Sequence, residues 1–194
     1  ERVAELLEPE TMVAPQAFYP TARLTKPHWT TYALGWFQQD YGGRAVDFHT
    51  GSIDGMVAIH GLIRDERLGV YVLANRDHAE LRHAVMLNVF DRFAGRSDRD
   101  WSAALLALYG GLQKEADERQ QKLESRRVTG TSPTLPLARY AGTFSDPLYG
   151  DVVVTLDGDR LRARYGTAYA GTLEHWNYDT FRARWDARWR GSAL

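Results

Sequence analysis

The chain has 194 residues, of which 44% are hydrophobic and 25% are charged, a composition typical of a folded domain rather than a disordered segment. Its 24 basic and 25 acidic residues give a net charge of −1, which argues against a nucleic-acid partner or an anionic membrane surface. The absence of cysteine excludes disulfides, cysteine-ligated zinc and a thiol nucleophile, and no apolar stretch approaches the ~20 residues of a membrane-spanning helix.

The N-terminal residues combine a short helical pattern with a proline-rich stretch. The helical pattern of residues 1–7 ends at Glu8, because the residue before a proline is pushed out of the helical region. Residues 9–31 carry four prolines and little periodicity, which predicts a long connecting loop. The sequence begins without an initiator methionine or a signal peptide, so we expect it to be a piece of a longer protein.

Apolar runs and turns then alternate over residues 32–95, as in an antiparallel sheet with a helix packed against it. The predicted strands are residues 32–37, 44–49, 56–63 and 68–74, with turns at 41–44, 51–55 and 65–67. The spacing of apolar residues predicts a helix from Leu81 to Phe90, with Gly95 as its C-cap and Asp77 capping its N-terminus.

Two further regions follow the predicted sheet. Residues 98–127 have a helical pattern whose second half is nearly all polar, as in a helix that bridges domains. Five short strands are then predicted at residues 140–144, 152–156, 161–165, 171–176 and 180–185, with a hairpin signal at Asp157-Gly158-Asp159. We therefore divide the chain into residues 1–95, a helical linker at 96–135, and a small all-β, barrel-like module at 136–194 that we expect to be truncated.

The pattern that carries chemistry is His49-Thr50-Gly51-Ser52. It lies twelve residues after the segment Tyr32–Trp36 and is followed by the apolar strand 68–74, which ends at Asn75-Arg76-Asp77. In this order and spacing, the segments resemble the C-terminal third of the class C β-lactamase, D-alanyl-D-alanine peptidase and esterase family. The Lys-Thr-Gly motif of that family is frequently His-x-Gly in its peptidase and esterase branches.

This resemblance covers about residues 1–95 and implies an α+β fold, the C-terminal part of the β-lactamase/transpeptidase-like domain. By its layout, the all-β module resembles the barrel-like domain that is appended to many of these hydrolases. Export to the periplasm or the outside of the cell is also implied by the resemblance, and no cofactor is expected.

The resemblance also implies roles for the four motif residues. His49 would face the cleft, where an imidazole that titrates near neutral pH can orient substrate or share a proton network. The N–H of Ser52 would stabilise the oxyanion, a contribution of about 3–4 kcal/mol for one donor. Gly51 would let the backbone approach the substrate, and Thr50 would point to the opposite face of its strand.

The nucleophile of the family is missing from this sequence. None of the seven serines has a lysine three residues later, and the family's Tyr-x-Asn motif is absent too. We expect both in a segment N-terminal to Glu1, so that the parent protein forms an acyl-enzyme and this chain alone is inactive. The substrate would be a β-lactam, a peptidoglycan stem peptide, a D-amino-acid peptide or a small ester. Because His49 replaces a cationic lysine, a true β-lactamase is disfavoured.

A non-catalytic binding or assembly module is the alternative from another class, and the missing nucleophile favours it. Its partner would be the absent N-terminal part or a second copy of the chain, since a bare sheet edge promotes association. A metal site is not expected, because His78 and His83 are five residues apart and do not share a helical face.

Overall fold

A computed structural model describes residues 2–14, 17–53, 55–76, 80–95, 99–187 and 192–193. The chain divides into two compact units, Glu1–Ala116 and Asp117–Leu194. The sequence-predicted boundaries at residues 95 and 136 stay predictions. None of the described helices is long and apolar enough to cross a membrane.

The first unit contains a six-stranded antiparallel sheet in which strands adjacent in sequence are also adjacent in the sheet. Its strands are β1 (Thr11–Met12), β2 (Thr30–Tyr32), β3 (Phe37–Tyr41), β4 (Arg44–Ile53), β5 (Met56–Ile63) and β6 (Leu68–Ala74). The helices of the chain are α1 (Arg2–Leu6), α2 (Ala22–Thr25), α3 (Leu81–Phe93) and α4 (Trp101–Ser125), the last of which continues into the second unit. Antiparallel strands with a helix packed against them confirm the α+β class.

Helix α3 packs on one face of this sheet and forms the main core with it. Phe48 from β4 and Leu87 and Phe90 from α3 are each only 1% exposed. Because side chains alternate along a strand, only every second residue of β4 and β5 enters this core. Gly61 permits the close approach of the helix, since a Cβ there would lie 2.4 Å from the Sδ of Met86.

Three sequence predictions for this part of the chain are wrong. The strand predicted at residues 32–37 is not formed: β2 ends at Tyr32, β3 begins at Phe37, and residues 33–36 connect them, with Gly35 at a left-handed φ of 86°. Strand β4 does not break at Gly51 but continues to Ile53, because residues 51–53 pair in register with β5. The predicted loop at 9–31 also contains β1, α2 and the start of β2. By contrast, β5 and β6 have the predicted bounds.

The ends of α3 were predicted from their capping residues. Gly95 follows the helix with a left-handed φ of 68°, as expected for the residue just beyond a C-cap. At the other end, Glu80 occupies the N-cap position and makes no side-chain capping hydrogen bond. The predicted cap, Asp77, lies outside the described residues.

The second unit contains a separate six-stranded antiparallel sheet, again in chain order. Its strands are β7 (Gly142–Asp146), β8 (Gly150–Asp157), β9 (Arg160–Tyr165), β10 (Tyr169–Asn177), β11 (Thr180–Trp185) and β12 (Ser192–Ala193). The hairpin predicted at Asp157-Gly158-Asp159 joins β8 to β9. Among the described residues, no pairing joins β7 to β12, so the barrel-like form predicted for this module is not confirmed.

The second sheet has a small hydrophobic core and, apart from it, a buried tryptophan that is covered by an arginine side chain. Val154 and Leu161 are 7% and 1% exposed, and Trp176 is 6% exposed. The guanidinium of Arg182 lies 3.6 Å from the Trp176 ring centroid and 2.6 Å from a carboxylate oxygen of Glu124. Stacking and ion pairing together satisfy a guanidinium that is otherwise buried.

Candidate functional site

The four motif residues all lie near the free end of β4. Strand β3 pairs with β4 only as far as Phe48, so residues 49–53 extend beyond β3. Within the described ranges, these five residues pair with β5 alone. One backbone edge of the motif segment is therefore not engaged in the sheet.

An open groove of about 750 Å³ lies along the face of the sheet opposite α3. His49 and Gly51 line it from β4, next to apolar residues of β5 and β6. Ile53, Met56 and Leu73 form much of its wall and are 73%, 60% and 76% exposed. The groove thus combines one imidazole with a large apolar surface, a common composition for small-molecule sites.

Thr50 lies on the other face of β4, as the alternation of side chains predicts. Its Oγ1 accepts a hydrogen bond of 2.7 Å from the Nε of Arg82 on α3 and donates one of 2.8 Å to the carbonyl oxygen of Ala58. Ser52 is exposed and pairs in register with Val57. The buried guanidinium of Arg82 therefore binds the motif strand on the face opposite the groove.

Arg82 belongs to a buried polar cluster between the sheet, α3 and α4. A terminal nitrogen of its guanidinium lies 3.4 Å from the Glu80 carboxylate and 3.3 Å from the Tyr19 hydroxyl. The Nε2 of His83, whose side chain is fully buried, is also 3.4 Å from Glu80. Tyr109 from α4 completes the cluster, and burial raises the pKa of its hydroxyl.

The pKa values of this cluster follow from burial and from the shared carboxylate. Burial opposes ionisation of Glu80, but its interaction with His83 and the charge of Arg82 outweigh that effect and lower the pKa. For His83, burial is the largest influence and lowers the pKa, although Glu80 acts in the opposite direction. The cluster thus favours an ionised Glu80 and a neutral His83.

A second histidine lies beside His49, and the sequence analysis missed it. His60 on β5 is paired directly across from His49, with ring centroids 6.2 Å apart. The His60 ring stacks on Trp36 at 4.4 Å, and its Nδ1 lies 3.2 Å from the hydroxyl of Tyr71 on β6. Burial, followed by the charge of His49, lowers the pKa of His60.

The two imidazoles each have a buried nitrogen without a hydrogen-bond partner in the described part of the chain. These atoms are the Nδ1 of His49 and the Nε2 of His60. The signal that could have located this pair is the dipeptide Asp54-Gly55, because Asp-Gly is a strong two-residue hairpin signal. A hairpin centred there aligns residue 49 with residue 60.

The described residues contain no cluster of three or more histidine, aspartate or glutamate side chains placed to hold a metal ion. His83 is buried in α3, whereas His78 lies outside the described residues.

Comparison with known proteins finds one family model that matches the C-terminal part of the chain and curated hydrolases that are similar over most of its length. The model of a family described as "Domain of unknown function (DUF3471)" matches residues 126–193, which include all six strands of the second sheet. Over most of its length, the chain is similar to curated hydrolases. It is 31% identical over 170 residues to the unguisins hydrolase ungD of Aspergillus violaceofuscus (strain CBS 115571), covering 78% of this chain and 29% of that protein.

A second curated relative is the unguisins hydrolase ungD' of Aspergillus campestris (strain IBT 28561), which is 26% identical over 141 residues. That similarity covers 68% of this chain and 26% of the relative. The chain therefore spans less than a third of the length of either curated hydrolase.

Solved structures with some likeness to the chain include a crystal structure of SurE with D-Leu, at 17% identity and a TM-score of 0.30. Another is the octameric penicillin-binding protein homologue from Pyrococcus abyssi, at 17% identity and a TM-score of 0.34. Each of these two similarities extends over 79% of this chain and 30% of the solved chain.

Proposed function

We propose that this chain forms one wall of the active-site cleft of a serine hydrolase that acts through an acyl-enzyme. The observation that carries the proposal is the position of His49 and Gly51 on one open groove, at the part of β4 that extends beyond β3. The 31% identity to the unguisins hydrolase ungD supports a hydrolytic activity for the whole protein.

The N–H of Ser52 is proposed as an oxyanion donor. In an antiparallel pair, residues whose N–H groups face the partner strand alternate with residues whose N–H groups face away. Ile53 and Met56 pair across a two-residue connection, and the residues that close such a turn are hydrogen-bonded to each other. We therefore expect the N–H of the preceding residue, Ser52, to face away from β5, on the edge that β3 leaves uncovered.

His49 is proposed as the polar group that orients the substrate or exchanges a proton with it. It lines the groove beside Gly51, and its buried Nδ1 has no hydrogen-bond partner among the described residues. An imidazole in that position can donate or accept a hydrogen bond near neutral pH. Gly51 leaves the adjacent backbone accessible, because no side chain projects into the groove there.

The nucleophile would be a serine of a Ser-x-x-Lys motif outside these 194 residues. It would attack a peptide or ester carbonyl, expel the leaving group and form an acyl-enzyme that water then hydrolyses. The segment that carries this serine would form the opposite wall of the groove, covering the exposed side chains of Ile53, Met56 and Leu73.

Substitution of Gly51 by alanine in the full-length protein tests this proposal. An added Cβ at Gly51 would meet nothing within 4 Å, so the fold should tolerate it while the methyl group enters the groove. Gly69→Ala is the matched control, since its Cβ would lie 3.3 Å from the flexible end of Leu62 and away from the motif. Hydrolysis of p-nitrophenyl butyrate and D-alanine p-nitroanilide supplies the readout.

We expect Gly51→Ala to lower kcat/KM by about 100-fold, the size of effect seen when one oxyanion contact is lost. Thermal stability should not change, and Gly69→Ala should keep wild-type kinetics. Wild-type rates for both variants would contradict the proposal. The proposal would also be contradicted if the full-length protein hydrolysed neither the ester nor the anilide.

A non-catalytic assembly module is the second candidate function. The exposure of Ile53, Met56 and Leu73 on one sheet face favours it, because contiguous exposed apolar residues mark interaction surfaces. Replacing Leu73 by glutamate would then abolish self-association in sedimentation analysis, with no hydrolysis to lose. Measurable hydrolysis that depends on Gly51 would exclude this second candidate.

A further inference from the structure

We propose that a pocket between the start of α3 and the first half of α4 is a binding site for a small uncharged amphiphile, an aliphatic chain that ends in a hydroxyl group. The hydroxyl would complete the hydrogen bonds of the buried cluster around Glu80, and the chain would fill the apolar part of the pocket. This inference is independent of the proposed hydrolase function, because the pocket lies on the α3 side of the sheet and the groove lies on the opposite face.

The pocket has a buried apolar floor and an exposed apolar rim. Its volume is about 350 Å³, within the range of small-molecule sites. Ala84 and Leu105 form the floor and are buried, whereas Leu81 and Leu106 lie at the rim and are exposed. An aliphatic chain bound here would remove these leucine side chains from water, which favours binding.

Glu80 and Tyr109 form the polar end of the pocket. The Tyr109 hydroxyl oxygen and the Oε2 of Glu80 are buried, and neither has a hydrogen-bond partner in the part of the chain that the structure describes. The same holds for both ring nitrogens of His83, whose side chain is fully buried next to Glu80. The distances from Glu80 to Arg82 and to His83, 3.4 Å each, exceed that of an ordinary hydrogen bond. Because buried polar atoms are nearly always hydrogen-bonded, this group of atoms indicates a bound polar molecule.

A hydroxyl group matches the two polar atoms that line the pocket. It has one donor and two acceptor lone pairs, so it can donate to the Oε2 of Glu80 and accept from the hydroxyl of Tyr109. A water molecule satisfies the same atoms but leaves the apolar walls unfilled. The combination of polar end and apolar walls therefore favours an amphiphile over water alone.

The charges of the cluster select against a charged head group. The guanidinium of Arg82 accompanies the carboxylate of Glu80, and burial lowers the pKa of His83 so that its ring stays neutral. An ammonium or carboxylate brought into the pocket would lose its water and find Glu80 and Arg82 already paired with each other. An uncharged hydroxyl avoids most of that cost.

Titration of the 194-residue chain with 1-hexanol, followed through the amide NMR signals, tests this inference. We expect saturable shifts of the signals of Ala84, Leu105 and Tyr109 at millimolar concentrations of the alcohol. Hexylammonium chloride and sodium hexanoate carry a positive and a negative head group on a chain of about the same length. Each should bind about tenfold more weakly than hexanol, or weaker still.

Two variants change the pocket at positions that the fold should tolerate. Tyr109→Phe removes a hydroxyl that has no hydrogen-bond partner in the described ranges, so the free chain should keep wild-type stability while its affinity for hexanol falls about threefold or more. Leu106→Gln removes apolar surface from the exposed rim and should weaken hexanol binding by a similar factor. Leu123→Gln is the matched control, at an exposed position of the same helix outside the pocket, and should bind hexanol as the wild type does.

The absence of saturable shifts, as expected if water alone fills the pocket, would overturn the inference. Saturable shifts confined to the groove residues Ile53 and Met56 would also overturn it, as would equal affinities for hexanol and its charged analogues. Wild-type affinity in Leu106→Gln would do the same, even if Tyr109→Phe did not fold. None of these measurements requires hydrolysis, so they leave the hydrolase proposal to its own test.

Discussion

The Nε of Arg82 on α3 donates a 2.7 Å hydrogen bond to the Oγ1 of Thr50 on β4, behind the strand segment that carries the candidate site. Both side chains are buried, with exposures of 3% and 8%. Because Thr50 lies between His49 and Gly51, this bond links helix packing to the position of the two groove residues. Four consequences of the packing and charges can be measured.

Replacing Thr50 by valine should destabilise the first unit. The substitution keeps the shape of the side chain but removes the acceptor of a buried charged donor, a loss of about 1–3 kcal/mol in the free energy of unfolding. Amide hydrogen exchange on β4 and β5 measures the local effect, and urea unfolding measures the total. Thr50→Ser keeps the hydroxyl and should stay close to wild type. Equal stabilities of the valine and wild-type chains would show that the bond contributes nothing.

Stability should fall with acidification from about pH 6.5. Burial lowers the folded-state pKa of His83, so the unfolded chain takes up a proton first and is stabilised relative to the folded chain as the pH drops below the unfolded value of 6.5. Ionised Glu80, with its own lowered pKa, adds a second loss below about pH 4.5. Thermal unfolding of the wild type and His83→Gln between pH 8 and 5 measures this. The variant should show a smaller slope above pH 5, and an identical slope would refute the assignment.

Gly61→Ala should loosen the contact between α3 and the sheet. An added Cβ would lie 2.4 Å from the Sδ of Met86 and 3.0 Å from the Cζ of Phe90, so side chains or the helix must shift. Overpacking of this kind costs about 1–3 kcal/mol. Chemical denaturation against Gly69→Ala, whose nearest contact is 3.3 Å, gives the comparison. Unfolding of the two variants at the same urea concentration would contradict the close packing of α3 on Gly61.

In the second unit, Gly171→Ala should disrupt the pairing of β10 and β11. A Cβ at this position would lie 2.2 Å from the carbonyl oxygen of Arg184, and backbone cannot move aside as a flexible side chain can. We expect faster hydrogen exchange across β10 and β11 and a lower melting temperature of this sheet. The amides of the first sheet provide an internal control, because they should exchange at wild-type rates. Unchanged exchange in β11 would contradict the register.

The parts of the fold that sequence could predict are those governed by local patterns. Strands β5 and β6 were predicted to the residue because an apolar run, a charged turn and a second apolar run define a hairpin. The single strand predicted over residues 32–37 is wrong, because its aromatic residues favour a strand while Gly35 supplies a left-handed turn between two strands. Local propensity was outweighed there by the geometry of the connection.

The candidate site was only partly accessible from sequence. The motif residues were found by their order and spacing, and His60 follows from the Asp54-Gly55 hairpin once β4 is extended to Ile53. The bond between Arg82 and Thr50 was not predictable, because it joins residues 32 positions apart through the docking of α3 on the sheet. Tertiary packing of that kind leaves no periodic signal in the sequence.

The measurement that tests the central proposal most directly is the intact mass of the full-length protein after reaction with a fluorophosphonate, a reagent that phosphonylates activated serines with loss of fluoride. The account predicts one covalent adduct on a serine of a Ser-x-x-Lys motif, formed about 100-fold more slowly in Gly51→Ala and at the wild-type rate in Gly69→Ala. A full-length protein that forms no adduct, or whose labelling rate does not depend on Gly51, would contradict the proposal that this groove is a wall of a serine hydrolase site.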